Sequence, residues 1–269
     1  MSEIVPDHIH AGAFVVRTGA TEQSWIDLTD PTRIEFEYVQ RIVEALSATV
    51  LARPAGERIR VVHVGGGGLS LPRYVAAVRP RTAQIVIEPD SALIAAVREH
   101  LPLPRNSGIK IREQDGRTGV TALPDGYADA VILDAFKGAV VPAELATVEW
   151  FAEIARTLRP GGVLIMNLGD RAPFDWGRRC LAAMASVFGQ VAVSAEIPVW
   201  KGRRYGNLVA VAGTGPLPLA QLERELTRTS FPYRLVAAGG LAAWLGPAVP
   251  FTDEDSAESV DPVAHGWLG

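Results

Sequence analysis

Residues 61 to 90, VVHVGGGGLS LPRYVAAVRP RTAQIVIEPD, decide the fold. Val61 to Val64 is a short apolar run that can be buried on both faces, as a central parallel strand requires. Gly65 to Gly68 removes every β-carbon from the turn that follows, so the backbone can take unusual dihedrals and approach a ligand closely. Leu71 to Val78 has a helical pattern, with Pro72 accommodated in the first turn. A second apolar run, Gln84 to Ile87, ends at Glu88. The order is strand, glycine turn, helix, strand, acid. In a βαβ unit this aims the glycine backbone and a helix N-terminus at a nucleotide, and the acid at its ribose hydroxyls. Gly65, Gly67 and Ser70 nearly match G-x-G-x-x-G, and Glu88 follows at about the 20-residue spacing of that fingerprint. The competing reading is a plain tight turn that binds nothing, and four consecutive glycines, each costly in conformational entropy, argue against it. A nicotinamide dinucleotide and S-adenosylmethionine (AdoMet) both remain candidates, because enzymes of both kinds use such a stretch.

Composition narrows the classes. The 269 residues, 48% hydrophobic and 21% charged, suffice for one large α/β domain with a small appendage. A net charge of −4 with scattered Lys and Arg argues against a nucleic-acid partner, whose phosphates require a basic stripe. Cys180 is the single cysteine, which rules out an internal disulfide. It falls in an apolar helical pattern, Arg179 to Phe188, and reads as a small core residue. The five histidines never combine with cysteine at zinc-ligand intervals, so no metal is expected. The N-terminus lacks a charged-then-apolar signal, and no run approaches the ~18 apolar residues of a membrane span. A cytoplasmic protein without a membrane partner is expected.

Around the nucleotide unit the chain alternates strands and helices. Residues 1 to 30 read as a small β-hairpin element, with Phe14 to Arg17 and Ser24 to Leu28 as strands and Thr18 to Thr21 as the turn. A hairpin is marginal alone, so it must pack on the main domain or on a second subunit. A helix is expected from Asp30-Pro31, with Ile34, Tyr38, Ile42, Val43 and Leu46 on one face. Ser91 to His100 is helical, and Ile109 to Arg112 is a third strand. Asp115-Gly116 follows that strand at the ligand edge of the sheet, where a carboxylate can accept a hydrogen bond from an adenine amino group; an Asx turn explains the pair equally well. Ala130 to Leu133, the fourth strand, ends in Asp134. A loop to Pro142 leads to a helix over 143 to 158, stopped by Arg159-Pro160-Gly161-Gly162. Val163 to Leu168, Val191 to Ile197 and Asn207 to Ala212 complete seven strands, the last two as an antiparallel edge. A helix from Pro218 to Thr227 follows, and residues 251 to 269, with Asp253, Glu254, Asp255, Glu258 and Asp261, read as a solvated, mobile acidic tail.

The series from the glycine turn through Glu88, Asp115-Gly116 and Asp134 to Arg-Pro-Gly-Gly resembles the class I AdoMet-dependent transferases. That resemblance implies a Rossmann-like, seven-stranded class I AdoMet-methyltransferase fold, here over residues 31 to 250. Gln23 to Leu28, Phe36-Glu37-Tyr38 and Val64 to Gly67 are more specifically similar to the spermidine synthase family, the polyamine aminopropyltransferases, over roughly residues 10 to 212. The resemblance implies AdoMet or its decarboxylated form as co-substrate, a small-molecule amine or other nucleophile as acceptor, and a homodimer. It further implies that Gly65, Gly66, Gly67, Glu88, Asp115, Gly116 and Gln23 bind the co-substrate. Tyr38 would bind substrate, although a helix-face aromatic also suits a core. Asp134 would be the catalytic carboxylate that takes the acceptor amine.

Two departures bear on the acceptor. The family turn usually reads G-G-G-D-G-G, its Asp holding the cationic end of the aminopropyl chain, and that position here is Gly68. The family loop after the fourth strand carries two acids three residues apart, and the second falls on Lys137. A lysine there repels a diammonium substrate. Three other functions stay open: methyl transfer from AdoMet, a non-catalytic nucleoside-binding protein, and an NAD-dependent oxidoreductase. Trp200 and Tyr205 are candidates to flank the pocket or cap a strand turn. His63 reads as a hydrogen-bonded core residue, and His8 and His10 belong to the terminus.

Overall fold

Three antiparallel strands open the chain, β1 (Ser2–Pro6), β2 (Ala13–Thr18) and β3 (Thr21–Asp27), in the order β1-β2-β3. The computed structural model describes residues 2–18, 21–227 and 233–266. Of the expected Thr18 to Thr21 turn, residues 19 and 20 lie outside these. The hairpin expectation omitted β1, which pairs Ile4 with Val16. Val16 and Ile26 are buried with Leu69, Val86, Leu93, Val97 and Leu101, so the small sheet packs on the main domain. Two hydrogen bonds tie it to the glycine turn: Gly68 N–H donates to Ser24 Oγ (2.8 Å), and Ser70 Oγ donates to the Trp25 carbonyl (2.9 Å).

Helix α1 spans Glu37–Ala48 and starts later than Asp30-Pro31 predicts. The carboxylates of Asp27 and Asp30 instead accept the backbone N–H groups of Thr29 (2.8 Å) and Thr32 (3.0 Å), closing Asx turns that compete with a helix. Ile42 and Leu46 are fully buried, and Ile34 and Tyr38 pack on the same cluster.

The remaining elements alternate as β4 (Arg60–Val64), α2 (Ser70–Val78), β5 (Ala83–Ile87), α3 (Ser91–His100), β6 (Ile109–Arg112), α4 (Gly116–Thr121) and β7 (Ala128–Leu133). They continue as α5 (Val148–Thr157), β8 (Leu158–Asp170), α6 (Asp175–Val187), β9 (Gln190–Glu196), α7 (Ile197–Trp200), β10 (Gly206–Gly213), α8 (Leu219–Thr227), β11 (Tyr233–Ala237) and α9 (Ala238–Leu245). The sheet order is β11-β9-β10-β8-β7-β4-β5-β6. Strands β6, β5, β4, β7 and β8 are parallel, and β10, β9 and β11 are antiparallel. The class I fold is thus present with one strand beyond the expected seven. The extra strand, β11, comes from a stretch whose Pro and Gly punctuation hid it.

Strand β4 shows why the core forms. Val62 and Val64 face a cluster with Trp150, Phe151 and Ile154 of α5, while Val61 faces Ile42 and Leu46 of α1 and Val75 of α2. Burial on both faces is what its unbroken apolar run encodes. The helix expected over 143 to 158 is shorter, because Thr147 breaks it and caps α5, its hydroxyl accepting the Trp150 N–H (3.2 Å).

The acidic tail is also corrected. Phe251 is only 1% exposed, Ser259 Oγ accepts the Val141 N–H (2.8 Å), and Trp176 Nε1 donates to the Ala257 carbonyl (2.7 Å). Asp253 pairs with Arg117, and Asp255 with Arg179 (2.5 Å). The apolar and small residues between the acids pin the segment to the domain.

Candidate active site

Strand order reverses at β4, with β5 on one side and β7 on the other, and such a switch point opens a crevice at the carboxyl ends of the strands. The register there is locked. Gly65 N–H donates to the Ile87 carbonyl (2.9 Å), Asp134 N–H to the Val64 carbonyl (3.0 Å), and Glu88 N–H to the Arg112 carbonyl (3.0 Å). A cleft of about 510 Å³ lies over these ends. Gln23, Tyr38, Gly65, Gly66, Gly67, Glu88, Asp115, Gly116 and Asp134 all line it, so segments far apart in sequence converge there.

One half is shaped by backbone. Gly65 and Gly67 have φ of +88° and +46°, in the left-handed region. A β-carbon on Gly65 would lie 2.8 Å from the Asp134 carbonyl carbon, and one on Gly66 would lie 2.8 Å from Val86 Cγ1. Only glycine lets this turn approach both its neighbours and a ligand. Glu88 bridges the turn to the next helix, its Oε2 accepting Gly66 N–H (2.9 Å) and its Oε1 accepting Asp90 N–H (3.0 Å). Asp115 caps α4 by accepting the Thr118 N–H (2.9 Å), and its hydrogen bonds with Thr118 hold the carboxyl below the usual range. The Asx-type role of Asp115 is therefore realised on the cleft wall itself. A β-carbon on Gly116 would lie 2.9 Å from Val64 Cγ1, so α4 can begin close to β4.

The other half is built from side chains. Tyr38, on the second residue of α1, donates its hydroxyl to Asp134. Asn167 Nδ2, from β8, donates to Asp134 Oδ1 (2.9 Å), and Asn207 Nδ2, from β10, donates to Asn167 Oδ1 (3.0 Å). Burial raises the Asp134 carboxyl to about 6, against the opposing pull of its bonds to Asn167 and Tyr38. Burial beside the same carboxylate pushes the Tyr38 hydroxyl well above its ordinary value. Sequence reading missed Asn167 and Asn207. Their signal was a polar residue inside an otherwise apolar strand, which is costly unless hydrogen-bonded.

The departures acquire geometry. A β-carbon on Gly68 would clash with Ile26 Cδ1 and lie 2.9 Å from Val16 Cγ2 and 3.0 Å from Ser24 Cβ. That direction points into the small N-terminal sheet and away from the cleft. Lys137 is exposed at the cleft, on a tight loop closed by its N–H donating to the Val140 carbonyl (2.9 Å), with Gly138 at φ +67°.

Other candidates fall outside the chemistry. His63 Nε2 meets Gln84 Oε1 (2.8 Å), and Gln84 Nε2 donates to the Pro72 carbonyl (3.0 Å). Burial lowers the His63 imidazole to about 4, so it is a neutral core residue beneath the cleft. Trp200 donates to the Arg234 carbonyl (3.0 Å) and packs edge-on against Trp244, and Tyr205 packs beside Gly169; neither lines the cleft. Cys180 is buried and burial pushes its thiol up, which makes it unreactive. Among the described residues no cluster of three or more His, Cys, Asp or Glu could hold a metal, and no helix is long and apolar enough to cross a membrane.

Known proteins of the same build now bear on this site. Residues 62–166 match the family described as "Methyltransferase domain". The "Polyamine aminopropyltransferase" of Vibrio vulnificus is 28% identical over 197 residues, 71% of this chain and 62% of that protein. The protein of the same name from Chromobacterium violaceum is 28% identical over 186 residues, 65% of this chain and 69% of its own. The chain thus spans less than two thirds of the Vibrio relative. A crystal structure described as "a probable spermidine synthase from Corynebacterium glutamicum" is 30% identical, covers 94% of this chain and 92% of its own, and superposes with a TM-score of 0.86. The chain belongs to the spermidine synthase family. Membership of the spermidine synthase family accounts for the N-terminal sheet joined to a class I domain, and it removes the nicotinamide alternative.

Proposed function

We propose that the chain is an alkyl transferase that moves an aminopropyl group from decarboxylated AdoMet to an amine acceptor. One observation carries the reading: a half-buried carboxyl raised to about 6, held by the Asn167 amide beside Tyr38, faces the same cleft as a glycine cradle with no room for a β-carbon. Gly65 to Gly67 would carry the backbone around the donor, Glu88 its ribose, Asp115 and Gly116 its adenine, and Gln23 the side near the small sheet. Tyr38 and Asp134 would hold the acceptor.

In the transfer, the acceptor nitrogen attacks the aminopropyl carbon bonded to the sulfonium. The C–N bond forms as the C–S bond breaks, its electron pair passes to sulfur, and methylthioadenosine leaves as a neutral thioether. The proton lost by nitrogen passes to Asp134 and then to solvent. A carboxyl near 6 is ionised at neutral pH yet more basic than an exposed aspartate, which suits a base. Tyr38 and Asn167 fix its orientation, so positioning contributes alongside proton transfer. The homodimer implied by the resemblance belongs to this reading and is checked by sedimentation.

Methyl transfer is the second reading, favoured by the filled space beside Gly68, which leaves no family acid for the aminopropyl ammonium. The test is to incubate the protein with each donor and a panel of amines and to weigh the products. Addition of an aminopropyl group with release of methylthioadenosine supports the proposal. Addition of a methyl group with release of S-adenosylhomocysteine replaces it.

A further inference from the structure

The charges of the cleft divide unevenly. On the nucleoside side three acids are occupied: Glu88 by two backbone N–H groups, Asp90 by the Leu93 N–H (2.9 Å), and Asp115 by the Thr118 N–H. Arg117 is occupied too. It donates to Asp253 Oδ2 (2.8 Å), Thr147 Oγ1 (2.7 Å) and the Glu144 carbonyl (2.8 Å). The acceptor side keeps three charges of interest, Asp134 at the floor and Lys137 and Glu35 nearer the mouth. The Lys137 ammonium has no hydrogen-bond or ion-pair partner among the described residues, while its backbone is held by the two-way pairing with Val140. Lys137 follows Asp134 by three residues on the same loop. An acceptor whose amine sits on Asp134 therefore has an uncompensated cation on the same loop, three residues away.

We propose that the acceptor carries a carboxylate as well as its reacting amine, and that Lys137 binds that carboxylate; this rests on the transfer at Asp134 proposed above. Such an amino acid places opposite charges on Asp134 and Lys137. A diamine places its second ammonium against Lys137, and no acid can be supplied from Gly68, whose β-carbon direction is filled by Ile26 and Val16. The remaining acids of the cleft open to a diamine are Glu35, exposed on the connector before α1, and Glu144, exposed beside Arg117. Phe36 and Phe136 in the walls suit a methylene spacer between the two charged ends.

Calorimetric titration of the full chain tests this, first with methylthioadenosine alone. The loaded protein is then titrated with γ-aminobutyrate, putrescine and n-butylamine, which share a four-carbon chain and differ at the far end. The expected result is that γ-aminobutyrate binds about tenfold or more tighter than the other two, and that Lys137→Glu reverses the order. Lys137 is exposed and its side chain holds nothing, so this variant folds, and Glu35→Gln should leave γ-aminobutyrate affinity within about twofold. Tightest binding of putrescine, above all if Glu35→Gln abolishes it, overturns the proposal. So does an unchanged preference in Lys137→Glu, or binding of none of the three. If methylthioadenosine fails to bind while γ-aminobutyrate still binds through Lys137, the transfer reading falls and the acceptor assignment stands.

Discussion

The two halves of the cleft are made by different means. The half proposed for the nucleoside is backbone: a glycine turn at positive φ, with Glu88 tied to the N–H groups of Gly66 and Asp90 and Asp115 to that of Thr118. The acceptor half is a relay of side chains from four elements or their ends: Tyr38 on α1, Asp134 after β7, Asn167 on β8 and Asn207 on β10. A backbone site is fixed by local sequence and tolerates few changes, whereas a side-chain site can be rewritten one residue at a time. Lys137 is such a change at the cleft, whereas Gly68 faces Ile26 and Val16 of the small sheet.

The comparison is broken most severely at Asp134. The Asp134→Asn variant should lose about 100-fold or more in turnover, the scale of general-base catalysis, while nucleoside affinity stays within about twofold. Single-turnover product formation and calorimetry report the two halves separately, and a parallel loss in both would merge them. Gly68→Asp comes next. Its side chain is forced against Ile26 and Val16, so the variant should lose about 1–3 kcal/mol of stability by overpacking and gain no diamine activity, as read by thermal unfolding and by product mass. Glu88→Ala should weaken methylthioadenosine binding about tenfold, or 1.4 kcal/mol, with turnover at saturating donor nearly kept.

The smallest expected effect is in pH. The Asp134 carboxyl is raised from its ordinary value to about 6, so activity should climb as pH rises through about 6. Removing the Asn167 hydrogen bond, which lowers it, should move that limb upward in Asn167→Ala. For stability the sign is opposite to that of a salt-bridged aspartate. The folded state binds this proton more tightly than the unfolded state, so stability is favoured at low pH and is lost as pH rises from the ordinary carboxylate range through about 6. Asp134→Asn should therefore gain stability relative to the parent over that window, measurable by denaturant unfolding across pH.

The same contrast explains what the sequence revealed. Val61 to Glu88 carries fold and nucleoside half together, because its turn, strand and acid are neighbours in the chain. Asp134 was legible as the acid ending an apolar strand. Asn167 and Asn207 were not, since their role exists only where β8, β10 and β7 lie side by side. Asp30-Pro31 misled about α1, because the carboxylates of Asp27 and Asp30 bind local backbone N–H groups and hold six further residues out of the helix. The acidic tail misled in the opposite sense: its charges suggested solvent, but Phe251 and the pairs to Arg117 and Arg179 hold it on the domain.

The central claim is a cleft that receives the donor without its carboxylate. Calorimetric titration with methylthioadenosine and with S-adenosylhomocysteine tests it most directly. The account predicts saturable binding of methylthioadenosine at least about tenfold tighter than S-adenosylhomocysteine, and an about tenfold weakening of that binding in Glu88→Ala. Tighter binding of S-adenosylhomocysteine, or silence from both, would contradict it.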